Sequence, residues 1–127
     1  MSYVLVDLVD PVNEFPTSVW NWKAAVEVIR HLGVIDQFTA RKMVLNGSGV
    51  KISMEDAHEI GLKLRAEILP KLKPNKRIFA DLSITDSPDD GTFHEHGADA
   101  WKNYSIGAVW VEDFSDFVLR SKGFQVF

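Results

Sequence analysis

Cysteine is absent from this chain. Its absence excludes disulfides, thiol catalysis and Cys-ligated zinc or iron–sulfur centres, and it fits a reducing compartment. No apolar run approaches the roughly 20 residues of a membrane helix, so no membrane partner is expected. Met1 to Asp10 lacks the basic n-region and long apolar h-region of a signal peptide, which leads us to expect a cytoplasmic location. Positive charge is in short supply: 14 Lys and Arg stand against 18 Asp and Glu, a formal charge of −4. A modestly acidic chain is a poor binder of nucleic-acid backbone. Repeats, low-complexity tracts and interdomain linkers are also missing.

What is present is ordinary globular material. With 127 residues, 46% of them hydrophobic and 25% charged, the composition implies one domain over residues 1–127 that buries most of its apolar surface. Four Trp and eight Phe supply bulky core groups.

Patterning predicts an α+β fold, with about four helices around an aromatic-rich core and a small three-stranded sheet beside them. Tyr3 to Val9 is apolar at nearly every position and reads as a strand buried on both faces. Pro11 and Pro16 frame an irregular connection. Thr17 or Ser18 can cap a helix over 19–32, with Gly33 as its stop. Val19, Trp22, Val26 and Ile29 form its apolar stripe, widened by Ala25 and Leu32, and Lys23 and Glu27 form an i,i+4 pair opposite. A short helix is expected over 36–45, and Val50 to Ile52 reads as extended. Ser53 to Asp56 resembles a capping box with Asp at N3, opening a helix over 54–69. Its buried stripe is Met54, Ala57, Ile60, Gly61, Leu64 and Ile68. Pro70 disfavours helical geometry at Leu69, so the helix should stop or kink there. Arg77 to Ile84 reads as a strand. Ser105 should cap a last helix over 106–121, with Ile106, Trp110, Phe114, Phe117 and Val118 on one side and Glu112, Asp113 and Asp116 on the other. Gly123 ends it, and residues 124–127 look like a terminal strand.

Charge falls into two blocks. Asp81 to Asp99 contains Asp81, Asp86, Asp89, Asp90, Glu95 and Asp99 without a Lys or Arg, a formal −6, together with His94 and His96. Just before it, residues 63–77 carry Lys63, Arg65, Lys71, Lys73, Lys76 and Arg77 against Glu67, a formal +5. The two blocks either neutralise each other in the fold or leave the loop as an acidic surface. Asp86 to Gly91 brushes against a calcium-loop pattern, but Pro88 stands at position 3 and Gly97 where a bidentate Glu is needed at position 12. On an extended segment His94 and His96 point the same way and could share one cation, with Asp89, Asp90 or Asp99 as a third ligand. His-x-His is nevertheless a common pattern, and no second ligand pair accompanies it. Ser83, Thr85 and Ser87 lie near the histidines but not in a nucleophile elbow. Asn46-Gly47-Ser48-Gly49 lacks the Lys of a phosphate loop and reads as a helix stop.

The aromatics offer anchors. Trp20 and Trp22 cannot both lie centrally on one apolar stripe. Trp22 is the core member. Trp20 projects toward Glu27 and His31, either as an edge residue or as an exposed recognition aromatic. Trp101 and Tyr104 flank the end of the acidic loop, where they either pin it to the core or form the rim of a binding surface. His31 and His58 read as surface or boundary residues.

Two functions from different classes follow. The first is a small acidic protein-binding module, with Asp86, Asp89, Asp90 and Glu95 as its field and Trp20, Trp101 and Tyr104 as anchors for a basic partner protein. Stand-alone bacterial toxin-neutralising (immunity) proteins share this physique, an analogy of size and charge and not of motif. This reading needs no cofactor and no catalysis. The second is a metal-binding protein or small metal-assisted hydrolase using a divalent metal at His94 and His96. A regulatory or structural subunit is a third option. Binding requires only a surface, whereas an enzyme requires a complete constellation, so the first reading is preferred.

Overall fold

Tyr3, Leu5 and Asp7 alternate inward along β1 (Ser2–Asp7), while Val4 and Val6 on the other face are half-buried. The strand therefore has one fully buried face, not two. It belongs to a computed structural model that describes residues 2–45, 47–88, 93–95, 97–98 and 100–127. The fold is α+β. Its elements continue as β2 (Glu14–Ser18), α1 (Val19–His31), α2 (Gln37–Met43), β3 (Lys51–Ile52), α3 (Met54–Lys63), α4 (Leu69–Leu72), β4 (Arg77–Phe79), β5 (Ile84–Thr85), β6 (Ser105–Gly107), α5 (Ala108–Arg120) and β7 (Phe124–Val126).

The expected single three-stranded sheet is instead two antiparallel sheets among the described residues. One has the order β2-β1-β7-β3 and the other β5-β4-β6. Three local readings change with it. Pro16 lies within β2, opposite Val4. This is an edge strand with a single neighbour, so the missing N–H costs no ladder bond on the open side. Residues 77–84 form a hairpin, because Asp81 accepts from the Ser83 N–H (3.0 Å) and Leu82 takes a left-handed φ of 73°. That is the geometry of a tight three-residue loop. Ser105 does not cap α5. It pairs with Phe79 in β6, and the N-cap is Gly107 with no side-chain cap.

The helices follow their stripes. Ser18 caps α1 and Ser53 caps α3, each accepting from the N–H three residues on. Trp22, Ile29, Ile60, Val111, Phe114, Phe117 and Phe124 are all fully buried in one cluster. Met54, assigned to the buried stripe of α3, is exposed. Pro70 does not end the helix. Residues Leu64–Ile68 widen into a π turn and α4 continues from Leu69, with Pro70 in its first turn. Proline has no N–H to give there, and the widened turn relieves the clash of its ring with the preceding carbonyls. Gly61 lets α3 approach α5 closely: a Cβ there would sit 2.7 Å from Leu119 Cγ.

Asp7 is a buried carboxylate that ties β1 to two turns. It accepts from the N–H groups of Val9 (2.9 Å), Asp10 (3.2 Å) and Lys122 (3.3 Å), and from Asn13 Nδ2 (3.0 Å). Burial pushes its pKa up, but these four hydrogen bonds outweigh burial and hold it below the usual carboxylate value. A lowered folded pKa means that the stabilisation is complete above the unfolded pKa and is lost as pH falls through the folded one. Asp7→Asn is expected to cost about 1–3 kcal/mol at neutral pH, because the new amide sets N–H against N–H at Lys122 and Asn13. Asn13 cannot turn over freely, since its Oδ1 accepts from Arg120 Nε at 3.0 Å. Denaturant melts from pH 7 to 2 check this. The gap between wild type and variant should close on the acid side and persist at neutral pH.

Candidate functional site

Trp20 sits in the first turn of α1, on the side opposite Trp22, and is 41% exposed. It does not project toward Glu27 and His31. Its ring lies 5.2 Å from Tyr104 and 5.8 Å, edge-on, from Phe93, measured between centroids. Phe93 is 59% exposed. Lys23 Nζ stands 5.7 Å from the Tyr104 ring centroid, so the expected Lys23–Glu27 pair is replaced by Glu27–Arg30 at 2.8 Å. Three aromatic side chains from α1, the acidic segment and the lead-in to β6 thus form one partly open patch.

The patch is braced from below. The His94 N–H donates to Asn103 Oδ1 (2.8 Å), and Asn103 Nδ2 donates back to the His94 carbonyl (2.9 Å). This two-way amide clamp substitutes for a strand partner and holds residues 93–95 in place. Asn103 ends the short 3₁₀ turn Ala100–Asn103. The same turn carries Trp101, which packs edge-on against Phe79 at 5.1 Å and does not join the patch. Of the three expected anchors, Trp20 and Tyr104 come together, and Trp101 ties the segment to β4. Phe93 is the member that sequence reasoning missed. Its one signal was a bulky apolar side chain inside an otherwise polar run.

Among the described residues the two charge blocks do not neutralise each other. Arg65 pairs with Asp116 and also donates to Ser115 Oγ. Lys73 approaches Glu112 (3.9 Å), and Lys63 approaches Glu59 (3.6 Å). The basic block therefore turns to α5 and to its own helix. Among the described residues no ion pair joins it to the acidic segment. These exposed pairs are worth at most about 1 kcal/mol each. Arg77 does reach the segment, but through the Ser87 carbonyl at 2.9 Å. Asp81 is spent on its hairpin, accepting from Ser83 Oγ at 2.6 Å. Asp86 and Glu95 are exposed and form no ion pair among the described residues. Asp89, Asp90, His96 and Asp99 lie outside the described residues. His94 is half-buried, and no group of three metal-ligating side chains occurs among the described residues. No helix among them is long and apolar enough to cross a membrane.

Compared with known proteins, the chain matches no family model, no curated protein and no solved structure.

Proposed function

We propose that this protein is a protein-binding module that engages a basic partner, working in the cytoplasm and akin in physique to toxin-neutralising immunity proteins. The reading rests on the braced Trp20–Phe93–Tyr104 patch beside a segment of formal charge −6. Trp and Tyr bury large area with few rotamers to freeze, which is why they dominate the energetics of interfaces. The Asn103 clamp reduces the ordering cost further, because residues 93–95 are already held. The formal charge of that segment, from Asp86, Glu95, Asp89 and Asp90 among others, would attract a basic surface and speed encounter.

Affinity purification on the tagged chain followed by kinetics on the recovered partner tests this. A basic protein is expected. Trp20→Ala should weaken its binding by about thirtyfold or more, in line with a hot-spot loss of about 2 kcal/mol, while the half-exposed site keeps the fold intact. Reversing Asp89 and Asp90 to Lys should slow association and flatten its salt dependence. Binding that is unchanged by both alterations across a range of salt would remove the patch and the acidic segment from any interface.

A further inference from the structure

A second feature lies where the two charge blocks meet. An open cleft of about 570 Å³ runs between the start of β4, the residues just after β5 and the junction of β6 with α5. That volume lies within the range of small-ligand sites, about 300–1,000 Å³. Lys76, Arg77 and Asp86 line it, and Pro88, Val109 and Trp110 provide apolar wall. We propose that this cleft binds a small organic anion, a carboxylate or phosphate head carried on an apolar body.

Arg77 carries the assignment. Its guanidinium is fixed from three directions. Nε donates to the Ser87 carbonyl (2.9 Å), one terminal nitrogen donates to Ser105 Oγ (3.1 Å), and the plane lies 4.7 Å from the Phe79 ring centroid. None of these partners is a carboxylate. Among the described residues no carboxylate pairs with it, so there the positive charge is oriented by neutral partners, unlike Arg65 and Arg30, which are paired with acids. An arginine held in this way presents its remaining N–H groups as a preorganised fork, which suits planar or tetrahedral oxyanions. Lys76 adds a second, exposed cation to the same cleft. Asn21 closes the floor by donating to the Ser105 carbonyl at 2.8 Å. Ala108, Val109 and Trp110, in the first turn of α5, line the same cleft. The apolar walls exclude a purely hydrophilic ion as the best fit, because they would be left facing water beside it. Asp86 also lines the cleft, and its negative charge opposes an anion bound there.

Heteronuclear NMR titration with benzoate, phenyl phosphate and the neutral control benzyl alcohol decides the matter. The expected result is saturable shifts at the amides of residues 76–77, 87 and 105–110 with one or both anions. Benzyl alcohol should bind at least tenfold more weakly. Whichever anion is tighter identifies the head group. Arg77→Gln should weaken that anion at least tenfold. Because Arg77 also braces Ser87 and Ser105, a second variant guards against misfolding. Val109→Asp alters an exposed side chain in the first helical turn, where an acid favours the helix, and it should abolish binding without lowering Tm. Asp86→Asn should tighten binding two- to threefold. Shifts scattered outside the cleft, no saturation up to 10 mM, equal binding of the neutral control, or anion binding that survives Val109→Asp would each overturn the assignment.

Discussion

Replacing Trp22 with Ala is expected to remove about 3–5 kcal/mol of unfolding free energy, a large share of the 5–15 kcal/mol typical of a domain. Trp22 has no exposed surface and lies 5.8 Å from Phe114 and 6.4 Å from Tyr3 between ring centroids. Truncation opens a cavity at the point where α1, α5 and β1 meet. A second loss adds to the first. The indole N–H donates to the Met43 carbonyl at 2.7 Å, and the Tyr3 hydroxyl donates to the Val44 carbonyl at 2.6 Å. These are the last carbonyls of α2, the orphan acceptors of any helix end. With seven residues, α2 cannot stand on propensity, since isolated helices shorter than about 12 residues are marginal. The core therefore holds α2 through two side-chain donors. Trp22→Phe isolates that part: most of the ring volume stays, the acceptor is orphaned, and a cost of about 1–3 kcal/mol is expected. Urea melts of both variants, with hydrogen exchange read at the α2 amides, check the claim. In Trp22→Phe those amides should exchange faster than the rest of the core. If Trp22→Phe melts like wild type and α2 keeps its protection, the bond to Met43 is of no consequence.

The same device recurs at other helix ends, and it explains what the sequence could and could not show. Lys63 Nζ donates to the Leu32 carbonyl at the end of α1 (3.0 Å), and His58 Nε2 bonds the Ser121 carbonyl beyond α5 (2.9 Å). N-terminal caps are local: Ser18 and Ser53 bond an N–H three residues away, so they are readable from a short string. The C-terminal caps here come from 21, 31, 41 and 63 residues away, and nothing local marks them. His58 consequently read as an ordinary boundary residue, although its ring secures the junction of α5 with β7. The same division separates the strands that were legible from those that were not. β1 and β7 carry apolar runs. β2 and β6 exist because of their partners: Pro16 is tolerable on an edge, and Ile106, spaced like a helical neighbour of Trp110, is extended because it pairs with Ile78.

The candidate surface divides along that line too. Charge blocks are additive along a sequence, so the −6 segment and the +5 stretch were visible at once. How they pair was not, because Arg65 finds Asp116 from 51 positions away. Trp20 was visible as the tryptophan that cannot share the stripe of Trp22. Its partners Phe93 and Tyr104 lie more than seventy residues on, across an amide clamp that no spacing rule encodes. A binding surface is a tertiary object, and the sequence shows its materials better than its assembly.

Gly123→Ala is expected to destabilise the protein by about 3 kcal/mol or more, from two separable causes. Gly123 has φ of 91°, where an L side chain carries a conformational cost of roughly 1–2 kcal/mol. A Cβ there would also lie 2.6 Å from the Ile52 carbonyl oxygen and 3.0 Å from the Met54 N atom. Both contacts are backbone, at the step from β3 into α3, and backbone cannot swing aside as a side chain can. Relief would have to part β7 from β3 or lift the start of α3, and the Leu8 N–H bond to the Gly123 carbonyl (3.0 Å) opposes the first movement. Gly33→Ala is the matched control. Gly33 has nearly the same φ, 80°, but no atom lies within 4 Å of its Cβ position, so it should show the conformational cost alone, about 1–2 kcal/mol. The difference between the two variants in urea midpoint, at constant m-value, measures the backbone clash. Equal destabilisation would mean that the β3–α3 step yields to a methyl group. Gly123 would then matter for its φ alone, as an ordinary helix terminator, which is all that its place after α5 implied.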